Sequence, residues 1–414
     1  MLGNTILIRG VAWKPRISLA STLIVAVLTF GCSKSKPLNT HNTWNPRTAA
    51  AYLDARETQW SEWPGSARDH GTFCVSCHTA LPYALARPAL NPQLSDAQAP
   101  LQEQQLIQNV VKRVRLGDET EPYYSDKDTG IYKTAESRST EAVLNVLILA
   151  SHDAQAGSLS ADAKTALNHM WALQETSGNL QGSWPWLAFG HEEPWEADDS
   201  RYYGACLGAI AAARAPSTYR NDPKVEQNIE LLRGYLTRGY SQQSLMNRVA
   251  LLWASTEMPG LIPPEQQKAL VDEIFSKQQA DGGWQLAPLA WKWRGWSLAS
   301  LGRRWVRSDG SLAERGSDGY ATAFIAYVLP KAGVSHDNPQ LEQAISWLAS
   351  HQNDQGYWPS YSINKRRNPS SNTGHFMSDA ATAYAVLALT ESQLDNHPIA
   401  SKQAPQPPSN QRPY

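Results

Sequence analysis

Apolar residues along most of the chain recur at helical spacing, and almost no stretch alternates as a strand does. A first helix is predicted from Pro46 to Trp63, with proline in its first turn and alanines after it. From about Gln98 onward, helical segments alternate with loops rich in Gly, Pro and Trp. The predicted helices are Leu101–Leu116, Ser137–Ser151, Ala161–Gln174, Ser200–Ala213, Lys224–Arg238, Ser244–Ser255, Pro264–Gln278, Asp318–Leu329, Leu341–His351 and Asp379–Thr390. The fold class is therefore predicted to be all-α.

Two sequence elements repeat along this helical region. The first is Gln-x3-Gly-x-Trp, present at Gln278–Trp284 and Gln352–Trp358, with a looser copy at Gln174–Trp184. Glycine permits the left-handed residue that ends a helix, and tryptophan covers the helix end with apolar surface. The second is a helix that starts with a capping Asp or Ser and is filled with small residues. Its copies are Asp198–Ala213, Ser317–Leu329 and Ser378–Leu389, and their small residues allow the close contacts of an inner ring.

These motifs between paired helices resemble the squalene-hopene cyclase and protein prenyltransferase superfamily. The resemblance covers roughly Gln98 to Gln393 and implies an α/α toroid, in which inner and outer helices alternate. It implies less about function, because one fold hosts many activities.

The resemblance also implies candidate catalytic residues. Cyclases of this kind protonate an alkene with an Asp-x-Asp-Asp motif, and the nearest stretch here runs from Glu196 to Asp199. Asp198 or Asp199 is therefore a candidate acid, and the simpler interpretation is a helix cap like Asp318 and Asp379. The prenyltransferase zinc motif Asp-x-Cys is absent at Cys206, which we expect in the core.

The first 32 residues predict an export signal. Arg9, Lys14 and Arg16 precede an apolar run from Ile17 to Phe30, which is too short for an ordinary membrane-spanning helix. Gly31 and Cys32 close the run and resemble the end of a bacterial lipoprotein signal, which implies a lipid on Cys32. A plain cleaved signal and an uncleaved anchor are the alternatives. We expect the protein in the periplasm or cell envelope, attached to a membrane through the lipid.

The segment from His70 to His78 contains two of the four cysteines, Cys74 and Cys77, with His78 directly after the second. Two thiols at this spacing reach the two vinyl groups of one haem, and the adjacent histidine offers a nitrogen to the iron. In an exported chain the motif predicts one covalent haem c. A Cys74–Cys77 disulfide and a zinc site completed by His70 are the alternatives.

Gly71 and Thr79 add to the motif a resemblance to c-type cytochromes, over about ten residues. A haem raises the question of a sixth iron ligand. The candidates are Met258, Met377, His70, His191 and His375. A Met or His ligand favours electron transfer, whereas an open position favours ligand sensing or small-molecule chemistry. His375 precedes the last inner helix and is a candidate for lining the toroid mouth.

Charge excludes one class of partner. The chain has 37 basic and 38 acidic residues and a formal net charge of −1, without the basic stripe that nucleic acid requires. The basic cluster from Asn364 to Pro369 is a short loop. The predicted organisation is an export signal in 1–32, a polar linker in 33–45, a helix with the haem-attachment segment in 46–97, the toroid in 98–396 and a disordered tail in 397–414.

The sequence therefore predicts an exported haem-bearing α/α toroid. Its expected work is electron transfer, or haem-dependent redox chemistry on a small or isoprenoid-like molecule. The expected partners are a redox protein, a small hydrophobic ligand and the membrane. A cyclase that uses Asp198 or Asp199 and a periplasmic toroid that binds lipid or protein without catalysis are the alternatives, so the pattern leaves open whether the protein is an enzyme.

Overall fold

The structure is a computed structural model that describes residues 44–95, 98–156, 158–189, 193–290 and 305–396. The predicted export signal, including Cys32, most of the linker, the predicted tail and His191 lie outside the described residues. Among the described helices, none combines the length and apolar character that crossing a membrane requires.

Helices dominate the described residues. Numbered in chain order, the helices are α1 Pro46–Glu62, α2 Ala80–Leu94, α3 Leu101–Leu116, α4 Asp126–Thr129, α5 Lys133–Ala156, α6 Ala161–Ala172, α7 Ser200–Ala213, α8 Ser217–Arg220, α9 Pro223–Gly239, α10 Leu245–Glu257, α11 Pro264–Ser276, α12 Leu286–Ala290, α13 Gly319–Lys331, α14 Pro339–Ser350 and α15 Asn372–Asn396. Two short strands, β1 Ala67–Arg68 and β2 Thr72–Phe73, pair antiparallel with Ala67 opposite Phe73.

Six helices of the described chain form a closed ring. Each of α2, α5, α7, α10, α13 and α15 packs on the next, and α15 returns to α2. The outer helices α1, α3, α6, α9, α11 and α14 each pack against one or two ring helices from outside. The described residues therefore form an α/α toroid, which confirms the predicted fold class.

Small residues let large tryptophans approach the ring helices. A Cβ atom on Gly204 of α7 would lie 2.1 Å from the Trp186 ring, and one on Gly208 would lie 2.7 Å from the Trp184 ring. Real Cβ atoms do not tolerate such contacts, so glycine is required for this packing.

The three Gln-Gly-Trp motifs share one geometry. The side-chain amides of Gln174, Gln278 and Gln352 each donate to the carbonyl of their own motif glycine, at 3.2, 2.8 and 2.9 Å. The tryptophan Nε1 groups donate back to the preceding outer helix, as Trp284 does to the Ile274 carbonyl at 2.8 Å. Each glycine has a positive φ of 91–96°, which favours glycine over other residues.

The same glutamines also join successive outer helices. Gln174 donates to the Asn228 carbonyl in α9 at 3.0 Å, and Gln278 donates to the Gln340 carbonyl in α14 at 2.7 Å. Gln352 donates to the carbonyl of Asn45, the residue that caps α1, at 3.0 Å. The last motif therefore closes the outer layer onto the first helix.

Two expectations differ from the structure. Helix α2 is not among the predicted helices, because Pro82, Pro88 and Pro92 interrupt the helical signal, yet it is a member of the ring. Residues 46–97, which the sequence pattern separates from the toroid, thus contribute an outer and an inner helix to it. Asp379 is not a helix cap, because α15 begins seven residues earlier, at Asn372.

Candidate functional site

The Cys-x2-Cys-His segment connects β2 to ring helix α2. The Cys74 N–H donates to the Ser66 carbonyl at 2.9 Å, and Trp60 Nε1 donates to the Cys74 carbonyl at 2.7 Å. Ser76 Oγ accepts from the N–H groups of Thr79 and Ala80, at 3.2 and 3.0 Å. These contacts satisfy the polar backbone of the segment where it enters the helix.

Both thiols of the motif are buried. Cys74 and Cys77 are 7% and 6% exposed, and neither forms a disulfide. Burial raises the pKa of both groups, so they are held as neutral thiols. The described structure therefore does not contain the alternative Cys74–Cys77 disulfide.

The zinc alternative also finds no site in the described residues. No three His, Cys, Asp or Glu side chains of this part of the chain are placed to hold a metal ion. His70, the fourth ligand that the zinc interpretation requires, is nearly half exposed, and its Nε2 lies 3.4 Å from Asp69 Oδ2.

Thr79 determines which ring nitrogen of His78 carries the hydrogen, and burial keeps the imidazole neutral. Its Nδ1 lies 2.8 Å from Thr79 Oγ1, and the Thr79 hydroxyl donates to Asp379 Oδ2 at 2.8 Å. Because that hydroxyl has one hydrogen and gives it to Asp379, it can only accept from His78. Burial, with Arg56 and Arg367 nearby, holds the pKa of His78 well below its usual range. The imidazole is therefore neutral with hydrogen on Nδ1, and in the part of the chain that the structure describes no group donates a hydrogen bond to the Nε2 lone pair.

A buried ion pair anchors this chain of hydrogen bonds. Arg56 Nε donates to Asp379 Oδ1 at 2.8 Å, and Nη2 donates to Oδ2 at 3.1 Å. The Tyr52 hydroxyl donates to the same Oδ1 at 2.8 Å, and burial together with Asp379 raises the pKa of Tyr52. Arg56 and Asp379 are 4% and 2% exposed. Charge-assisted hydrogen bonds to Asp379 of α15 thus join this helix to α1 and to Thr79, the residue directly before α2.

Glu57 lies beside this ion pair on α1 and is also buried. Neither carboxyl oxygen has a hydrogen-bond partner among the described residues. Burial, followed by the negative charge of Asp379, raises the pKa of Glu57 well above its usual range. Glu57 is therefore a neutral carboxylic acid.

Aromatic rings surround the His78 imidazole. Phe376 of α15 stacks on it, with ring centroids 3.6 Å apart, and Trp60 of α1 meets it edge-on at 4.9 Å. Trp195, in the segment before α7, lies 6.2 Å away and continues to Tyr320 at 5.4 Å. These rings pack against the imidazole and leave His78 6% exposed.

The described candidates for a sixth iron ligand lie in different parts of the structure. His375 and Met377 flank Phe376 on α15, and Tyr52 Oη lies 3.3 Å from His375 Nδ1. Met258 follows the last residue of α10, where the ring helices end rather than begin. Of the described candidates, only His375 and Met377 belong to a helix that contacts His78.

The candidate acids lie at the start of α7. Asp198 is exposed, whereas Asp199 is partly buried and makes no capping hydrogen bond. Ser200 Oγ accepts from the Ala197 N–H at 2.7 Å instead. Asp199 stands at the N-cap position of α7 without a side-chain capping hydrogen bond, whereas Asp318 caps α13 by accepting from the Ala321 N–H at 3.0 Å. Cys206 is fully buried in α7.

The partners of His78 were not identified from the sequence. Arg56 and Tyr52 sit on an ordinary amphipathic helix, and Asp379 resembles the capping aspartate of a repeat. The available signal was indirect, because α1 carries charged residues on a face that turns toward the ring.

No protein-family model matches the chain. A squalene–hopene cyclase of Bradyrhizobium diazoefficiens is 32% identical over 83 residues, which cover 20% of this chain and 13% of the cyclase. The match therefore spans only a small part of that relative.

Solved structures that are similar to this chain include a glycosidase variant, a polysaccharide lyase and a possible member of the GH105 family. A glycosidase variant is 11% identical, with a TM-score of 0.45, and covers 84% of this chain and 96% of its own. A polysaccharide lyase is 12% identical at a TM-score of 0.46, with 84% and 98% covered. A possible GH105 family member from Salmonella enterica is 12% identical at a TM-score of 0.47, with 90% and 100% covered. At these identities the likeness concerns the fold alone.

Proposed function

We propose that the Cys74–His78 segment holds one covalent haem c at the end of the toroid where the ring helices begin, and that the protein is an exported redox protein. The observation that carries the proposal is the state of His78. Its Nδ1–H is directed to Thr79, and no described residue donates to its Nε2 lone pair, which is the arrangement of a metal-ligating histidine.

The residues present fit this group. Cys74 and Cys77 would hold the group by adding their thiols across its two vinyl groups, and His78 Nε2 would offer a nitrogen to its iron. Trp60, Trp195 and Phe376 form apolar walls near the imidazole. When bound, the haem supplies one-electron redox chemistry.

Residues around His78 hold its imidazole in place. Thr79 keeps hydrogen on His78 Nδ1, and Asp379 holds the Thr79 hydroxyl in place. Arg56 balances the charge of Asp379, which prevents an uncompensated buried carboxylate. Such outer partners tune the basicity of a metal-bound histidine.

Two further expectations belong to the same proposal. The chain is exported to the periplasm or cell envelope and carries a lipid on Cys32, as the signal-like N-terminus supports. A redox protein or a small hydrophobic ligand is its expected partner. His375 and Met377 are the first candidates for a sixth ligand, because they share a helix with Phe376.

Peptide mass spectrometry tests the attachment. The chain is produced with its own signal in cells that carry haem-maturation machinery, and tryptic peptides are analysed after acid-acetone extraction. The peptide that contains Cys74 and Cys77 is expected to retain haem, and a Cys74→Ala and Cys77→Ala variant is expected to lose it.

Cys206→Ala is the matched control, because Cys206 is an equally buried thiol outside the motif. It is expected to retain haem. Absence of haem in the wild-type chain, while a known cytochrome matures in the same cells, contradicts the proposal. Terpenoid cyclisation that is lost in Asp198→Asn or Asp199→Asn and kept without haem would instead support the cyclase alternative.

A further inference from the structure

A cavity lies between ring helix α5 and the outer helices α3 and α6. Its volume is about 150 Å³. The apolar part of its wall is formed by Val114, Ala142, Ala166, Ala172 and Leu173. A cavity of about this volume takes up a molecule the size of a benzene ring. None of Cys74, Cys77 and His78 lines it, so the cavity is separate from the site described above.

One side chain of this wall lacks the hydrogen bond that its burial requires. Asn145 of α5 is 6% exposed, and its Oδ1 has no hydrogen-bond partner among the described residues. Buried polar groups without a partner destabilise a protein and are few in native structures. A carboxamide carries both an acceptor and donors, and it turns about its last bond to present either one. A polar molecule in the cavity therefore satisfies Asn145.

The arginines of the wall are paired with its carboxylates. Arg113 Nη2 donates to Glu141 Oε2 at 2.8 Å, and Arg138 Nη1 donates to Asp118 Oδ1 at 3.2 Å. Arg138 Nη2 also donates to the Thr120 carbonyl at 2.9 Å. Because each guanidinium group already has a carboxylate, these residues offer no uncompensated charge that would favour an ion over a neutral molecule.

His169 of α6 adds a flat ring to the same wall. A Cβ atom on Gly117, the residue that ends α3, would lie 3.4 Å from His169 Cε1, so the glycine leaves room for the imidazole. The wall thus combines small apolar groups, one ring and one unsatisfied carboxamide. Small-molecule sites have this composition, which is mostly apolar with a few polar groups that fix the orientation of the ligand.

We propose that this cavity binds a small neutral cyclic amide, a molecule of one six-membered ring in which an N–H group adjoins a carbonyl. The volume limits the ligand to one ring, and the paired charges favour a neutral molecule. The carboxamide of Asn145 selects a polar edge over a plain hydrocarbon, because an amide edge supplies the missing hydrogen bond. The inference does not depend on haem.

Isothermal titration calorimetry of the full chain with 2-pyridone tests the site. 2-Pyridone has the adjacent N–H and carbonyl on one ring, and N-methyl-2-pyridone keeps the ring and carbonyl but lacks the donor. We expect 2-pyridone to bind with a dissociation constant of about 1 mM or tighter. N-methyl-2-pyridone is expected to bind about tenfold more weakly, because it cannot donate to Asn145.

Asn145→Leu removes the carboxamide and keeps the approximate size of the side chain. It is expected to weaken 2-pyridone binding about tenfold or more, without lowering the Tm of the ligand-free protein, because Oδ1 has no hydrogen bond to lose. Asn168→Leu is the control and is expected to leave binding unchanged, since Asn168 is exposed on α6 and does not line the cavity. Ala142→Leu places additional atoms in the cavity and is expected to abolish binding.

Three results overturn the proposal. No heat of binding from the wild-type chain, at about ten times the expected dissociation constant, means that water alone occupies the cavity. Equal affinity of the two pyridones, or of wild type and Asn145→Leu, means that the carboxamide does not recognise the ligand. Binding that survives in Ala142→Leu places the ligand elsewhere, and thermal unfolding shows that each variant compared is folded.

Discussion

At the residue scale, a chain of hydrogen bonds sets the chemistry of His78. Each member has one available role: Asp379 accepts, Thr79 donates to it and accepts from His78, and no described residue donates to Nε2. A buried chain of this kind depends on every member, because a missing partner leaves a desolvated polar group.

Thr79→Val is expected to lower the free energy of unfolding by about 1–3 kcal/mol. Valine keeps the shape of threonine but leaves His78 Nδ1–H and Asp379 Oδ2 without this partner. Thr79→Ser retains the hydroxyl and is expected to stay within about 1 kcal/mol of wild type. Urea denaturation measures both, and equal losses in the two variants would contradict the role of the hydroxyl.

Asp379→Asn is expected to destabilise the protein by about 3–5 kcal/mol, because Arg56 is left as a buried charge without its carboxylate. Asp272→Asn is the control, since the Lys268–Asp272 pair is mostly exposed. Exposed pairs contribute about 0–1 kcal/mol. Chemical denaturation of both variants checks the contrast, and similar small losses would contradict a buried ion pair.

Asp318 is expected to make stability fall as pH rises from about 4 to about 6. Burial raises its pKa from 3.8 to about 6, although the Ala321 N–H and Ser360 hydroxyl lower it. In this window the folded state holds a proton that the unfolded state has released, so the free energy of unfolding decreases by up to about 3 kcal/mol.

Asp318→Asn removes that titration. The difference in unfolding free energy between wild type and Asp318→Asn is therefore expected to change between pH 4 and pH 7, with wild type losing stability relative to the variant. Denaturant titrations across this range measure it. A constant difference would mean that Asp318 keeps an ordinary pKa in the folded protein.

At the element scale, one motif both ends an outer helix and fastens the next. Gly356 has a φ of 91°, and a Cβ atom there would lie 2.2 Å from the Thr48 carbonyl oxygen of α1. Gly282 meets the Gln343 carbonyl of α14 in the same way. The positive φ and the close approach together explain why glycine recurs in the motif.

Gly356→Ala is expected to destabilise the toroid more than Gly333→Ala does. Both glycines have a φ near 90°, but a Cβ atom on Gly333 would meet nothing within 4 Å, so its variant reports backbone strain alone, about 1–3 kcal/mol. The excess loss in Gly356→Ala measures the contact with α1. Thermal or urea unfolding provides it, and equal losses would mean that the approach to Thr48 relaxes freely.

Helices were predicted correctly where the residue pattern along the chain favours the helical structure that they adopt in the toroid. Helices α3 and α7 were predicted with their observed bounds, and the Gln-Gly-Trp motifs predicted the alternation of layers. Helix α2 was missed because its prolines contradict its helical state locally, and packing against α15 and α1 outweighs them. The roles of Arg56 and Asp379 were missed because they pair across 323 positions, which periodicity along one helix does not report.

At the scale of the whole molecule, the contact that closes the ring of helices also assembles the candidate site. The contact between the first and last ring helices, α2 and α15, places Phe376 and Asp379 against the Cys74–His78 segment. The outer layer closes in parallel through Gln352 and Asn45. The site therefore exists only in the closed toroid, although its cysteines and histidine come from a single short stretch of sequence.

The most direct test of the central claim is the absorption spectrum of the wild-type chain in alkaline pyridine, oxidised and dithionite-reduced, after free haem has been extracted. The protein is produced with its own signal in a host with haem-maturation machinery. A reduced α band that remains with the polypeptide is the expected result and means that Cys74 and Cys77 carry haem. A spectrum without that band, beside a control cytochrome that matures normally, would contradict the account.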